Sequence, residues 1–209
     1  MPPETKKLLG IFAAQDTFND MSVDQLKVLG LPTYAPEAPT LQEMTSAALR
    51  LLAPGPFFLV VEEEGADNFG NFNNAPGVLD GLKRADEAFG TVLEFINKHP
   101  ETLLITAADS SAGAMDVLGF PPRPDLLAKA ASGKDMNGAP YGLTLDGQPF
   151  LSKPDRSGVA HPFVITWGTL NDTSGGILVR AAGKDSDQVK GNFDNTKIYS
   201  LMRDVLFED

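Results

Sequence analysis

The stretch that decides the fold runs from position 57 to position 109. It begins with the apolar run FFLVV at 57–61 and ends with LLITAAD at 103–109, and an amphipathic helix is predicted between the two runs. A strand, a helix and a second strand form a βαβ unit, whose crossover makes the two strands parallel. Asp67 follows the first run and Asp109 follows the second. Because open parallel sheets bind ligands outside the carboxyl ends of their strands, we expect both aspartates at the functional site.

Helix and strand patterns continue on both sides of this unit. Thr40 and Glu43 form a capping box that opens a helix, and the clearest helical pattern spans 78–98. A last helix follows the cap sequence Asp-Asn-Thr at 194–196. Further strands are predicted at 7–13, 57–62, 103–106, 162–167 and 177–182. This order predicts the α/β class, as a layered α/β/α domain with a mostly parallel central sheet.

A segment rich in proline and glycine interrupts the alternation at 121–158. It holds six prolines and five glycines, and we interpret it as an excursion with one short hairpin at 141–150 that turns at Asp146-Gly147. The 209 residues suit one domain, and no internal repeat is visible. We therefore expect residues 1–209 to form a single domain.

Composition excludes several classes of function. The formal charge of −11 and the pI of about 4.6 disfavour a nucleic-acid partner, which requires a basic surface. No run approaches the ~18 apolar residues that a membrane helix needs, and residues 1–7 lack the apolar region of a signal peptide. The absence of cysteine excludes thiolate catalysis and cysteine-zinc sites, and the only histidines are His99 and His161.

Oxygen-bearing side chains follow the predicted strands at three places. Glu62, Asp67 and Asn71 form the first group, because Asp67 and Asn71 share one face if the chain turns helical there. Asp109-Ser110 is the second group, and Asp172 opens the third, ahead of two glycines. Sets of carboxylate, amide and hydroxyl oxygens suit hard cations such as Mg²⁺, Ca²⁺ or Mn²⁺. Spacing alone leaves a candidate cation site, set against the plainer interpretation that each residue is an ordinary loop or cap residue.

These stretches resemble the alkaline phosphatase family. The segment FFLVVE at 57–62 followed by Asp67, and the segment HPETLLITAAD at 99–109, are similar to the family's FFLMVEG…D…H and HPDTLVIVTADH motifs. The resemblance continues through the segment from Asp172 to Gly183 and the Asp-Asn-Thr helix at 194–196, and it extends back to 7–13. It covers nearly the whole chain but only the C-terminal half of the family's domain.

The resemblance implies hydrolysis of phosphate monoesters through a phosphoserine, with two zinc ions and one magnesium ion. By position, Glu62 resembles the magnesium ligand, and Asp67 and Asp109 each resemble a zinc carboxylate ligand. Three zinc-binding histidines of the family are replaced, by Asn71, Ser110 and Asp172. Zinc sites are usually built on nitrogen or sulfur, so these replacements favour Mg²⁺ or Ca²⁺ over Zn²⁺. We therefore predict a divalent cation held by six residues: Glu62, Asp67, Asn71, Asp109, Ser110 and Asp172.

The family's serine nucleophile belongs to the N-terminal half, which the resemblance does not cover. The sequence DSSA at 109–112 echoes the family's DSA nucleophile motif, but its context is that of the TADH strand. We expect a metal-dependent phosphomonoester hydrolase domain that is incomplete and inactive alone. The alternative is a catalytically degenerate module that binds a cation or phosphate. A sulfatase-like or phosphoglycerate-mutase-like enzyme is a third reading, but no nucleophile motif of those enzymes is present.

The resemblance also bears on location and partners. Family members are mostly exported, which predicts a periplasmic or extracellular protein, although no signal peptide is visible in residues 1–7. The expected small-molecule partner is a phosphate ester or phosphate. The sheet is open on the side of its first strand, and exposed edges of this kind favour self-association into a homo-oligomer.

Overall fold

The computed structural model describes residues 5–12, 18–121, 124–135 and 138–207. In this part of the chain, four α-helices precede residues 103–106 in the sequence and two follow them. They are α1 Val23–Leu29, α2 Leu41–Leu52, α3 Gly65–Asn71, α4 Ala75–Ile96, α5 Pro124–Ala131 and α6 Thr196–Phe207, with a short 3₁₀ helix at Ser186–Gln188. Helices α2 and α3 each pack against α4. No helix in the described ranges is long and apolar enough to cross a membrane.

The strands are short and form three small sheets. They are β1 Leu103–Thr106, β2 Ser111–Ala112, β3 Asp116–Gly119, β4 Phe150–Leu151, β5 Pro162–Thr166, β6 Asp172–Thr173 and β7 Arg180–Gly183. Strand β1 pairs with β7, β2 pairs with β6, and β5 lies between β3 and β4. Every strand pair in the described part is antiparallel. Helices and strands mix along the chain as the α/β class requires, but the mostly parallel central sheet that we predicted is not shown.

The largest difference from the prediction concerns the two N-terminal strands. Residues 57–62 are assigned to no strand, and the side chain of Val60 is 71% exposed. Of the predicted strand at 7–13, residues 7–12 are likewise unpaired, and Ala13 lies outside the described residues. A strand exists only where a neighbour accepts and donates its backbone hydrogen bonds. Both runs have strand-like sequences, but the described chain offers them no neighbour.

Other predicted elements are present with shifted bounds. Helix α4 begins at Ala75, ahead of the predicted 78, because the Asn74 side chain accepts a hydrogen bond from the Gly77 backbone N–H at 2.9 Å. The Thr40–Glu43 capping box opens α2 as predicted. The predicted 177–182 strand appears as β7, which begins at Arg180.

In the excursion the predicted turn forms but the predicted 141–150 hairpin does not, because Gly142 and β4 on its two sides both pair with β5. The turn at Asp146-Gly147 is present, since the Thr144 N–H donates to the Gln148 carbonyl at 2.9 Å. The same segment also contains α5 and the strand β4, which pairs with β5 beyond it. Proline and glycine content therefore marked the segment correctly as irregular but hid its short helix.

The main core lies directly beneath α3. Phe69 of α3 is fully buried and packs with Val78 of α4 and with Ile165 and Trp167 at the β5 end. A β-carbon added to Gly70 would lie 2.9 Å from the Ala112 side chain, so glycine lets α3 approach β2 closely. This close packing fixes the outer face of α3 relative to β2 and β6.

Candidate functional site

Helix α3 presents two of the predicted site residues on its outer face. Asp67 and Asn71 are one helical turn apart, and the Asn71 Nδ2 donates a hydrogen bond to the Asp67 Oδ1 at 2.9 Å. Phe69 points from the same helix into the core. The helix after the first apolar run, which the sequence analysis made conditional, is therefore present and aligns the two polar side chains.

Strands β2 and β6 bring the third group to this face. Ala112 pairs with Asp172, and Ser111 pairs with Thr173, whose hydroxyl donates to the Ser111 carbonyl at 2.9 Å. The Asn71 Nδ2 donates a second hydrogen bond to the Asp172 Oδ1 at 2.8 Å, across 101 positions of sequence. The three predicted residues Asp67, Asn71 and Asp172 thus form one connected group.

The amide of Asn71 is held in one orientation by a fourth contact. Its Oδ1 accepts a hydrogen bond from the Gly113 backbone N–H at 3.3 Å, so its Nδ2 faces the two carboxylates. Gly113 has a φ of 68°, and a β-carbon there would lie 2.3 Å from the Gly70 carbonyl oxygen. A residue with a side chain at 113 would be strained and would collide with α3. Sequence analysis missed Gly113, although its Ala-Gly-Ala context after β2 marks a tight turn.

The carboxylates at this face repel one another. Burial is the main reason that the pKa of Asp67 lies above its usual range, followed by a hydrogen bond shared with the Asp172 carboxyl and by the negative charges of Asp172 and Asp109. The charge of Asp109 thus also acts on Asp67. We name the surface formed by Asp67, Asn71, Asp109 and Asp172 the acidic rim.

The three consecutive glutamates after the first apolar run divide between two roles. Burial, a hydrogen bond with Glu62 and the charges of Glu62, Asp67 and Asp109 raise the pKa of Glu64. Glu62 and Glu64 thus extend the acidic rim. Glu63 turns away and accepts hydrogen bonds from the backbone N–H groups of Gly65 and Ala66, at 3.0 and 2.9 Å.

Glu64 is the second residue that sequence analysis missed. Of the three consecutive glutamates, only Glu62 was named as a candidate ligand. A signal was available, because three successive glutamates at the end of one run cannot all face the same way.

Ser110 and the two histidines complete the placement of the predicted residues. Ser110 is half-buried between Asp109 and β2. The ring of His99 stacks on Phe95 at 4.1 Å, and His161 Nε2 lies 2.9 Å from Asp155 Oδ2 in the excursion. The recorded partners of both histidines are therefore outside the acidic rim.

The donor chemistry of the rim is of the kind that hard divalent cations prefer. Its side chains offer carboxylate, amide and hydroxyl oxygens and no imidazole. Across the described ranges, no group of three or more His, Cys, Asp or Glu side chains is already arranged to hold an ion. The Asn71 Nδ2, which donates to Asp67 and Asp172, occupies part of the space between them. Binding a cation between these two carboxylates would require that amide to turn.

Comparison with known sequences points to one family. A family model described as "Alkaline phosphatase" matches residues 2–207. Streptomycin-6-phosphate phosphatase of Streptomyces griseus is 31% identical over 180 residues, which cover 80% of this chain and 35% of that protein. Alkaline phosphatase 4 of Bacillus subtilis (strain 168) is 24% identical over 203 residues, covering 81% of this chain and 44% of its own length. The chain therefore spans less than half of the length of either relative.

Solved structures agree at the level of the fold. A histidine-to-glutamate mutant of the TAB5 alkaline phosphatase, described with Mg bound in its M3 site, superposes with a TM-score of 0.59 at 20% identity. That match covers 91% of this chain and 51% of the other. The cold-active alkaline phosphatase of a psychrophilic Shewanella species gives a TM-score of 0.58 at 22% identity, covering 89% of this chain and 58% of the other.

Proposed function

Because the chain belongs to the alkaline phosphatase family, we propose that it is the cation-binding half of a phosphomonoester hydrolase domain. Residues 1–209 would act as one unit in this role. The substrates would be phosphate esters, as the name of the Streptomyces griseus relative indicates for that protein. A periplasmic or extracellular location follows from the same family membership.

One observation carries this proposal. Asn71 joins Asp67 and Asp172 by hydrogen bonds of 2.9 and 2.8 Å, although Asp172 is 101 positions away from Asn71. These are the positions at which the family resemblance implies metal ligands. A fold that had lost all use for them would have no reason to keep polar side chains together at this face, where their charges repel.

The proposed ligands are Glu62, Asp67, Asn71, Asp109, Ser110 and Asp172, and the proposed ion is Mg²⁺ or Ca²⁺ rather than Zn²⁺. When bound, a divalent ion would neutralise the charge of a phosphoryl group. Asp67 and Asp172 would hold it from α3 and β6. The serine nucleophile would come from the N-terminal half of the family's domain, which the resemblance does not cover.

Thermal melting tests the cation site. A ligand that binds only the native state raises its stability, so Mg²⁺ or Ca²⁺ should raise the melting temperature of the chain. At an ion concentration of 100 times Kd, the free energy of unfolding should rise by about 2.7 kcal/mol. Asp172→Asn should remove the shift, and the matched exposed change Asp187→Asn should keep it. If neither ion shifts the melting temperature, the cation site is wrong.

Activity assays test incompleteness separately. The isolated chain should turn over p-nitrophenyl phosphate barely or not at all with Mg²⁺, Ca²⁺, Mn²⁺ or Zn²⁺, because no serine of the chain is placed as a nucleophile by the family motif. Robust turnover that is lost in Ser110→Ala or Ser111→Ala would show that the nucleophile lies in this chain after all.

The hydrogen bonds of the Asn71 side-chain amide also favour a second candidate function. With Asn71 donating to both carboxylates, the rim is partly satisfied without an ion, which suits a degenerate module that binds a cation or phosphate without chemistry. Inorganic phosphate should then raise the melting temperature, and supplying the rest of a family domain should restore no turnover.

A further inference from the structure

The side chain of Glu63 lies between the first turn of α3 and the middle of α4. One of its carboxylate oxygens accepts a hydrogen bond from the Gly65 N–H at 3.0 Å, and the other accepts from the Ala66 N–H at 2.9 Å. Glu64, which directly precedes α3, makes no capping hydrogen bond with its side chain. Glu63 therefore satisfies two N–H groups that have no partner within the helix, and the Glu64 side chain is left to face the acidic rim.

Helix α4 leaves room for the Glu63 carboxylate at one glycine. A β-carbon added to Gly81 would lie 2.8 Å from the Glu63 Oε1, and 2.9 Å from both its Oε2 and the Ala66 nitrogen. Glycine weakens the interior of a helix, so a glycine in the middle of α4 suits a position where any side chain would collide with a neighbour. The Glu63 carboxylate thus ties the start of α3 closely to α4.

Two charged side chains of α4 connect this carboxylate to a wider network. Burial raises the pKa of Glu63, its two backbone hydrogen bonds oppose that rise, and the charges of Asp80 and Arg84 also act on it. The Asp80 Oδ2 accepts a hydrogen bond from the Thr33 hydroxyl at 2.7 Å and lies 3.4 Å from the Arg84 Nε. The Arg84 guanidinium lies 3.8 Å above the centre of the Tyr34 ring. Glu63 therefore belongs to a polar network that joins the start of α3 to α4 and to residues 33–34.

The residues on either side of Glu63 lie where such an anchor matters. Residues 57–62 belong to no strand in the described part of the chain, so no ladder of backbone hydrogen bonds fixes where this run ends. The negative charges of Glu62, Asp67 and Asp109 act on Glu64, which is exposed. Like charges move apart where the backbone allows it, so the hydrogen bonds of Glu63 hold this backbone against a repulsion.

We propose that Glu63 is a positioning residue for the acidic rim, which acts by fixing the backbone between Glu62 and Glu64 and so holds both of their carboxylates at the rim. The inference rests on the proposed function, in which the rim binds a cation. In the family's FFLMVEG motif a glycine stands where this chain has Glu63, so the anchor comes from this chain's own sequence and not from the resemblance. Residues that orient metal ligands typically change the metal affinity by about 10–100-fold when they are replaced.

A double-mutant cycle in EDTA tests the positioning without a cation. Glu64→Gln should raise the melting temperature of the wild-type chain at neutral pH by about 1–3 °C, because it removes a repelled charge. In the Glu63→Ala background the same change should raise it much less, because Glu64 is then no longer held at the rim. Equal increments in the two backgrounds, or no rise in the wild-type chain, would overturn the proposal, since a carboxylate that only caps α3 does not alter the repulsion at Glu64.

Calorimetric titration with Mg²⁺ and Ca²⁺ tests the consequence for binding. Glu63→Ala should raise Kd by about tenfold or more, and Glu63→Gln, which keeps the size and one acceptor oxygen, should raise it less. Glu87→Ala removes an exposed carboxylate from α4 and should change Kd by no more than about twofold. Ala85→Gly weakens α4 at a buried position away from the carboxylate, so it should lower the melting temperature and still leave Kd within about twofold.

The remaining outcomes separate this inference from the proposed function. An unchanged Kd in Glu63→Ala, or an equal rise in Ala85→Gly, would overturn the inference while the cation site stands. If the wild-type chain binds neither ion, the proposed function fails, and the double-mutant cycle in EDTA decides whether Glu63 positions the rim. If Glu63→Ala does not fold, Glu63→Gln replaces it in both experiments, with the same direction of change.

Discussion

The surroundings of Asp67 and of Asp155 shift the pKa of the two carboxyl groups in opposite directions. At the acidic rim, Asp67 faces other carboxylates and receives one amide hydrogen bond, from Asn71, and its pKa is raised. In the excursion, Asp155 is surrounded by donors. The His161 ring lies 2.9 Å away, and the backbone N–H groups of Val159 and Ser157 donate at 3.0 and 2.7 Å. These contacts, His161 first, lower the pKa of Asp155 to about 2.

The difference separates a carboxylate whose hydrogen bonds lie within its own loop from carboxylates that we propose to bind a cation. Asp155 closes a loop, and every oxygen that it offers is used within the loop. At the rim, burial and the neighbouring carboxylates raise the pKa of Asp67, and a bound cation would relieve the repulsion between these carboxylates. Perturbed pKa values directed toward the neutral form, in a cluster at one face, are typical of functional sites.

The positions of Asp67 and Asn71 depend on the packing of α3 against the core. Phe69→Ala should lower the free energy of unfolding by about 3–5 kcal/mol, because it opens a cavity beneath the helix that carries Asp67 and Asn71. Urea unfolding measures the loss. Phe58→Ala is the control and should stay within about 0.5 kcal/mol, since Phe58 is exposed. Similar losses in the two variants would mean that the core beneath α3 does not support the rim.

The next test exchanges the amide at the rim for another carboxylate. Asn71→Asp removes both donated hydrogen bonds and adds a charge, so in EDTA the free energy of unfolding should fall by about 1–3 kcal/mol. With saturating Mg²⁺ or Ca²⁺, the difference in the free energy of unfolding between the variant and the wild type should become smaller. Asn192→Asp adds the same charge at an exposed position outside the rim and should show neither effect. A loss that no cation narrows would argue that the rim is only structural.

A smaller and opposite change is expected at Asp67. Its pKa in the folded chain lies above 3.8, so its contribution to stability is fully present below that pH and is lost as the pH rises through the raised pKa. Asp67→Asn should therefore raise the free energy of unfolding at neutral pH by up to about 1 kcal/mol, because solvent screens the rim. The pH dependence between acid and neutral conditions should flatten as well. A variant that is less stable than the wild type at neutral pH would contradict the repulsion.

The smallest effect concerns Asp155 and is measured by NMR titration of its carboxyl carbon. The wild-type pKa should be about 2, and His161→Ala should raise it part of the way toward 3.8, because the two backbone donors remain. The sign is opposite to that at Asp67: the contribution of Asp155 to stability is present above pH 3.8 and is lost as the pH falls toward 2. An unchanged pKa in the variant would mean that His161 is not its main partner.

Local signals predicted helices α2, α4 and α6, missed α1 and α5, and predicted the sheet poorly. The Thr40–Glu43 capping box and the long apolar face of α4 act within one helix, so their effect could be read from adjacent residues. The run at 57–61 has the composition of a buried strand, yet a strand needs a neighbour that local sequence does not supply. The same limit applies to residues 7–12, and it explains why the parallel sheet was predicted but is not shown.

Some features of the candidate site could likewise be predicted from local sequence, whereas others depend on tertiary contacts. Asp67 and Asn71 could be paired from helical spacing, and the proximity of Asp109 could be expected from its place after a strand. The local context of Gly113 marks a turn, but no local pattern indicates the contact of that turn with Gly70 of α3. Glu64 joined the rim only because the chain turns into α3 beside it.

The sequence by itself determined the family, the helices α2, α4 and α6 and the oxygen-only character of the candidate ligands, because each of these is a property of residue identity and short-range spacing. Tertiary structure alone decided that Asn71 would bridge Asp67 and Asp172, and that residues 57–61 and β1 would line one apolar cavity. Both outcomes depend on which distant segments become neighbours. That choice is made by burial and backbone pairing over the whole chain, and it cannot be deduced from any single stretch.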